Sequence, residues 1–273
     1  MPCRRQSWAS PKDAWSLAVV WTSLISRYFL KIIMPSTLYT LDVIIALLAL
    51  IYASYLDLKK REIDDWVWIV AVLAGFPIML YDQLVIQGGA HFYLLIVSII
   101  LTIALAIGFY KAGLYGGADA KALIMIALLL PLTFNGVRIH PFLPISTLLN
   151  GLISSLSIPL VMLPLNLYRI LIKKENLFEG IDEHFVRKAI ALLLGTKIRN
   201  PDKHKFWGPM ETRMEDGRRR FNFSPSIESF WSPLSSGEWA TPSIPLVVFI
   251  TVGFVIDLLF GDIFSHVVKL FIS

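Results

Sequence analysis

Six apolar runs, at residues 38–56, 66–81, 92–110, 122–134, 145–170 and 244–264, leave this chain few ways to fold. A helix needs about 20 apolar residues to cross a hydrocarbon layer about 30 Å thick, and each run reaches or approaches that length. Hydrocarbon offers the backbone no hydrogen-bond partner, so each run must satisfy its own amides as a helix. The expected fold is therefore all-α: a polytopic membrane protein of about six transmembrane helices, with a long polar insertion before the last. Composition agrees, since 56% hydrophobic residues and a mean hydropathy of +0.65 exceed what a soluble domain carries.

The polar segments assign the sides. The 57–65 loop holds three Lys and Arg residues, the 110–121 loop two and the 173–240 segment twelve, whereas the loops at 82–91 and 135–144 together hold only Arg138. Basic residues stay cytoplasmic, which puts the first three segments inside and the N-terminal end of the first run outside. The same rule accounts for the net charge of +5 without a nucleic-acid partner. Cys3 is the single cysteine, so neither a disulfide framework nor a cysteine-based zinc site is available. No His-Glu-x-x-His motif occurs, and His184 and His204 stand apart from any ligand array. No metal and no cofactor is expected.

Two acids stand where acids are costly. Asp119, in Tyr115-Gly116-Gly117-Ala118-Asp119-Ala120-Lys121, opens the fourth run behind two glycines. Asp57 closes the first run, ahead of Lys59, Lys60 and Arg61. Two crossings intervene, so both acids reach the same membrane face. A carboxylate at that depth marks a functional site by default. The competing reading of Asp119 is a helix cap, a common use of Asp at a helix start. Paired carboxyls that share one proton supply both the base and the acid of an aspartic protease. No Ser-His or Cys-His pair competes for that role.

At these residues the chain resembles the archaeal type IV prepilin and preflagellin peptidases, of the Gly-x-Gly-Asp class of intramembrane aspartic proteases. The resemblance rests on Asp57 followed by Arg61-Glu62-Ile63-Asp64, and on Gly116-Gly117-Ala118-Asp119 with Lys121, where Ala118 replaces the second glycine of the strict motif. It implies that Asp57 and Asp119 are catalytic and that Gly116, Gly117, Lys121, Arg61, Glu62, Asp64 and Asp65 belong to the motif or receive substrate. It also implies the substrate: pilin-like or flagellin precursors, cut after a short basic leader at the cytoplasmic face of the plasma membrane. Glu62, Asp64 and Asp65 suit a basic leader; capping of the second helix is their other reading. Two further functions stay open at this point. In one, a transporter or channel subunit uses Asp57 and Asp119 for protons or ions; in the other, the chain is a signal-peptide-peptidase-like protease. Against the last, Leu56 rather than Tyr precedes Asp57.

The remaining segments divide the chain. Residues 1–33 form an N-terminal extension, either an extra span, an interfacial helix, or a stretch upstream of a start at Met34. Residues 34–172 form the peptidase core in contact with the lipid bilayer, 173–240 the cytoplasmic insertion, and 241–273 the final helix and tail. Within the insertion, ENLFEGIDEHFVRKAIALLLGTKI has helical periodicity that Gly195 is placed to end. Pro159 and Pro164 are expected to kink the fifth helix, and Trp66 and Trp68 to anchor the second at the interface. Asp42 reads as an interfacial acid or a cap-like residue, and Asp257 as a buried acid near the outer side, outside the catalytic pair.

Overall fold

The computed structural model describes residues 37–134, 138–204, 206–213, 219–223 and 233–272. The expectations for residues 1–33 lie outside the described residues. The membrane part consists of α1 (Thr37–Lys60), α2 (Asp65–Tyr81), α3 (Phe92–Lys111), α4 (Gly117–Leu129), α5 (Leu143–Ser155) and α6 (Ser157–Leu171). After the insertion come α8 (Leu246–Phe260) and α9 (Ile263–Ile272). Among the described residues, four helical segments, Thr37–Lys60, Asp65–Ile86, Phe92–Lys111 and Leu143–Leu171, are long and apolar enough to cross a membrane; α8 with α9 makes a fifth if the pair counts as one span. The chain is a multi-pass, mostly helical membrane protein.

Three of the expected helices differ from their apolar runs, each for a local reason. The run at 122–134 yields a helix of 13 residues, Gly117–Leu129, about 20 Å long at 1.5 Å per residue and so too short to cross alone. Pro131 cannot continue a helix, and the chain leaves Leu130 in an irregular conformation. Leu130, Leu132 and Thr133 of that irregular stretch are buried in protein, the Pro131 carbonyl accepts from the Ser98 hydroxyl at 2.6 Å, and Leu132 bridges to Phe142. Non-helical backbone is tolerated at membrane depth under such cover. The run at 145–170 is two helices meeting at Leu156, with Pro159 in the first turn of α6 and Pro164 inside it. The last run breaks at Gly261, whose φ of +82° no side chain favours, and α9 departs from α8 at 60°.

One apolar core joins α1, α2, α4, α5 and α8, with Leu50, Ala53 and Leu56 of α1 against Leu123, Ile126, Val247, Ile250 and Phe254. Trp68 belongs to this core, buried, while Trp66 remains exposed beside Tyr52, their rings 5.7 Å apart. Only Trp66 therefore suits an interfacial anchor. α5 and α8 meet through glycines: a Cβ on Gly253 would lie 2.4 Å from the Gly151 nitrogen and from the Thr147 carbonyl oxygen. Apolar surface alone drives no association in lipid, and small residues let two backbones touch.

The insertion is not purely helical. Among the described residues it holds α7 (Phe185–Leu194) and five short strands, β1 (Thr196–Lys197), β2 (Trp207–Pro209), β3 (Glu211–Arg213), β4 (Arg219–Phe221) and β5 (Trp239–Pro242). They form a three-stranded antiparallel sheet ordered β1-β5-β2 and a β3-β4 ribbon. Gly195 follows α7 as expected, but the helix starts only at Phe185, ten residues after Glu175. The insertion has its own core of Leu177, Ile181, Ala191, Met210, Phe221 and Trp239, against which Ile170 of α6 packs.

Candidate active site

Asp57 lies in the last turn of α1 rather than beyond it, because the helix continues through Lys60. Arg61 follows the helix with φ +58°, a left-handed conformation that costs a non-glycine residue about 1–2 kcal/mol. That turn brings its side chain back to Asp57, with the guanidinium 3.7 Å from the carboxylate and its amide donating to the Asp57 carbonyl at 3.2 Å. The same guanidinium donates to the Ser243 carbonyl at 2.8 Å and lies over the Phe206 ring, 5.3 Å from its centroid. Strained conformations persist where surrounding contacts over-determine them. Here four contacts do so, two of them from residues beyond α6.

Asp119 is the third residue of α4 and is buried. Its Oδ2 accepts from the Gly116 amide at 2.8 Å, the return half of a capping box. The capping role is thus real, and it occupies one of the two carboxylate oxygens. Gly116 has an ordinary extended φ of −78°, so its glycine is needed for space: a Cβ there would lie 3.3 Å from Asp119 Oδ2. Gly117 faces the Tyr110 ring, which a Cβ would meet at 3.5 Å. Tyr115, which precedes the pair, packs edge-on against Phe109 and donates its hydroxyl to the Ala106 carbonyl at 3.2 Å, tying the loop to α3. Asp57 and Arg61 are both close enough to act on the charge of Asp119. Leu56, Tyr115, Ala118 and Ala120 share the core around them.

Asp57, Arg61, Gly116 and Asp119 are therefore brought together. Lys121, Asp64, Asp65 and Glu62 lie at the rim. Lys121 pairs with Asp65 at 2.5 Å and Lys60 with Asp64 at 3.5 Å, all four side chains well exposed, and Glu62 is exposed as well. Asp65 is the first residue of α2, and Asp64 occupies the cap position without a side-chain cap bond. Capping thus gives these acids no observed work, whereas Asp65 links α2 to α4 through Lys121.

The other acids fall elsewhere. Asp257 is buried on α8 and pairs with Arg138 at 2.5 Å, beside a cavity of about 210 Å³ lined by Tyr39, Thr40, Val43 and Thr133. Asp42 is buried inside the protein, as is Asp82, and Gly75 of α2 passes so close that a Cβ there would lie 3.1 Å from Asp42 Oδ1. No group of three or more His, Cys, Asp or Glu able to hold a metal ion occurs among the described residues. Phe206 and Ser243 escaped the sequence reading. Nothing local marks them, since their roles arise only when residues up to 182 positions from Arg61 fold back onto it.

A family model described as the type IV leader peptidase family matches residues 44–168, a stretch that contains both acids and the whole glycine loop. Over that stretch the chain is similar to that family. The peptidase is 26% identical to a preflagellin peptidase of Methanococcus maripaludis over 237 residues, which is 81% of this chain and 96% of that protein. It is 24% identical to a preflagellin peptidase of Methanocaldococcus jannaschii over 249 residues, 85% and 98% of the two chains. A third, from Methanococcus voltae, is 24% identical over 230 residues, 80% and 94%. The protein is a membrane peptidase; the transporter reading is not favoured.

Proposed function

We propose that this chain is a membrane-embedded aspartic endopeptidase that removes the short basic leader from archaeal flagellin or type IV pilin-like precursors, at the cytoplasmic face of the plasma membrane. The observation that supports the reading is that Asp57, at the end of α1, and Asp119, at the start of α4, lie within electrostatic reach of each other, with Arg61 against Asp57. The preflagellin peptidase names of the relatives supply the substrate class.

In this reading a water molecule lies between the two carboxyls. The ionised member takes its proton as the oxygen attacks the scissile carbonyl, while the protonated member gives its own to the carbonyl oxygen; the member that took the water proton then passes it to the leaving amine as the C–N bond breaks and the diol returns a proton to the other. The two acids titrate as one unit and share a single proton throughout. Arg61 holds the Asp57 carboxyl in place, while the Gly116 amide orients that of Asp119. The absence of side chains at Gly116 and Gly117 leaves room for an extended substrate backbone to approach. Glu62, on the exposed rim, is the acid most available to the leader.

The test is cleavage of a purified flagellin-type precursor by the full chain in proteoliposomes. Asp57→Asn and Asp119→Asn should each abolish cleavage while the proteins insert normally and melt within a few degrees of the parent. Removing either member of a cooperating set costs about as much as removing both. Near-normal turnover by either variant would end the dyad assignment.

A further inference from the structure

α7 carries apolar residues on both of its sides. Ala191 and Leu192 turn into the insertion's own core. The opposite face bears Phe185, Val186, Ile190, Leu193 and Leu194, all exposed, Phe185 by 80% and Val186 by 55%. At 100° per residue these five fall within one half of the helix circumference, and no charged residue interrupts them. Water-facing helices do not present such a face without a reason, and contiguous exposed apolar surface marks an interaction site.

The contacts of α7 say what covers it. Asn166, fully buried on the spanning helix α6, donates to the Leu192 carbonyl at 2.9 Å and the Gly195 carbonyl at 2.7 Å, and accepts from the Thr196 hydroxyl at 2.6 Å. Asn166 precedes the end of α6 at Leu171 by five residues, about 7.5 Å at 1.5 Å per residue. The C-terminal end of α7 is thus fixed beside the last turns of a spanning helix, at the depth where hydrocarbon meets headgroups. α6 exposes Leu165, Tyr168 and Leu171 at that level, and Ile172 just after it is exposed too, so the apolar face of α7 continues a lipid-facing surface. Lys173, over the Tyr168 ring, supplies the cation-and-aromatic fringe usual at an anionic interface.

We propose that α7 is an interfacial helix whose Phe185–Leu194 face is embedded in the lipid surface next to α6, so that the insertion is seated on the bilayer rather than suspended above it. The occupant is lipid, not a second protein. Thr241, on the strand leading to Ser243, donates its hydroxyl to the Leu194 carbonyl at 2.7 Å, so the same helix steadies the strand that reaches Arg61.

The experiment uses the full chain in anionic nanodiscs, in a Cys3→Ser background. Single cysteines at Val186, Ile190 and Leu193 carry a nitroxide label; Leu160, exposed on α6, serves as the lipid reference and Asn200 as the aqueous one. All five side chains lie outside the packed cores, so labelling removes no core contact. The three α7 labels should collide readily with oxygen and poorly with a water-soluble nickel chelate, as at Leu160, with Asn200 reversed. Nickel access equal to that at Asn200 would overturn the proposal, as water then covers the face. Shielding from both agents would overturn it equally, as protein then covers it. Neither result depends on peptidase activity.

Discussion

The Arg138–Asp257 pair tests whether a buried acid of this chain is structural or catalytic. The guanidinium donates to the carboxylate at 2.5 Å, with the two side chains 7% and 0% exposed, and Thr147 approaches the other carboxylate oxygen at 3.5 Å. Asp257→Leu leaves Arg138 beside an apolar wall, and Arg138→Met strands the carboxylate. Losing one partner of a buried pair costs about 3–5 kcal/mol. Each kcal/mol shifts the melting temperature of a chain this size by about 2–4 °C, so either single variant should melt roughly 10 °C lower. The double variant Arg138→Met/Asp257→Leu should recover at least half of that loss, because apolar replacement of both partners is often close to neutral. The assay is thermal unfolding in detergent with cleavage measured well below each midpoint. Asp257 lies 11 residues beyond the start of α8 at Leu246, about 16 Å at 1.5 Å per residue, whereas Ser243, which holds Arg61, precedes that start. Asp257→Asn should therefore cleave at close to the parental rate at low temperature. Single variants that melt with the parent, or a double variant no better than either single, would refute the pairing argument. Loss of cleavage in a folded Asp257→Asn would refute the assignment of roles.

Three further outcomes are expected. Gly116→Ala puts a Cβ 3.3 Å from Asp119 Oδ2, so turnover should fall by about tenfold, the effect of roughly 1.4 kcal/mol, with little change in melting; an unaffected rate would show that the loop yields freely. Arg61→Ala should cost more turnover than Phe206→Ala, since it removes a charged partner of Asp57 as well as a ring contact worth about 0.5–1 kcal/mol, and the reverse order would make the insertion contact the dominant one. Reversing the leader's Lys and Arg to Glu should slow cleavage at low salt and less so at high salt; Glu62→Gln should narrow that preference more than Asp64→Asn with Asp65→Asn, whose acids are already paired with Lys60 and Lys121, and equal effects would put the leader elsewhere.

The membrane fold was legible because its signal is local: each apolar run specifies its own helix. Where the runs misled, a single residue overrode them, as Pro131 did in cutting α4 to 13 residues. The strands of the insertion were hidden because each spans only two to four residues, too few for alternation to register. Asp57 and Asp119 stood out as candidates from cost alone, since an acid at a membrane boundary demands a reason. Asp42 shows the limit of that logic: the same cost marks an acid buried beside Gly75, and only packing tells the two situations apart. Phe206 and Ser243 lay beyond any sequence reading, because a ring and a backbone carbonyl carry no pattern of their own.

Arg61 also imposes an order on biosynthesis. Its carbonyl partner, Ser243, is 182 residues further along the chain. At a ribosomal pace of about 5–20 residues per second, that carbonyl is made roughly 10–40 s after Arg61. Between the synthesis of α4 and that of Phe206 both acids are already made, yet Arg61 has neither Phe206 nor Ser243 to hold its left-handed turn. A nascent or truncated chain thus carries the acids without the brace, and the completed site is a property of the finished polypeptide.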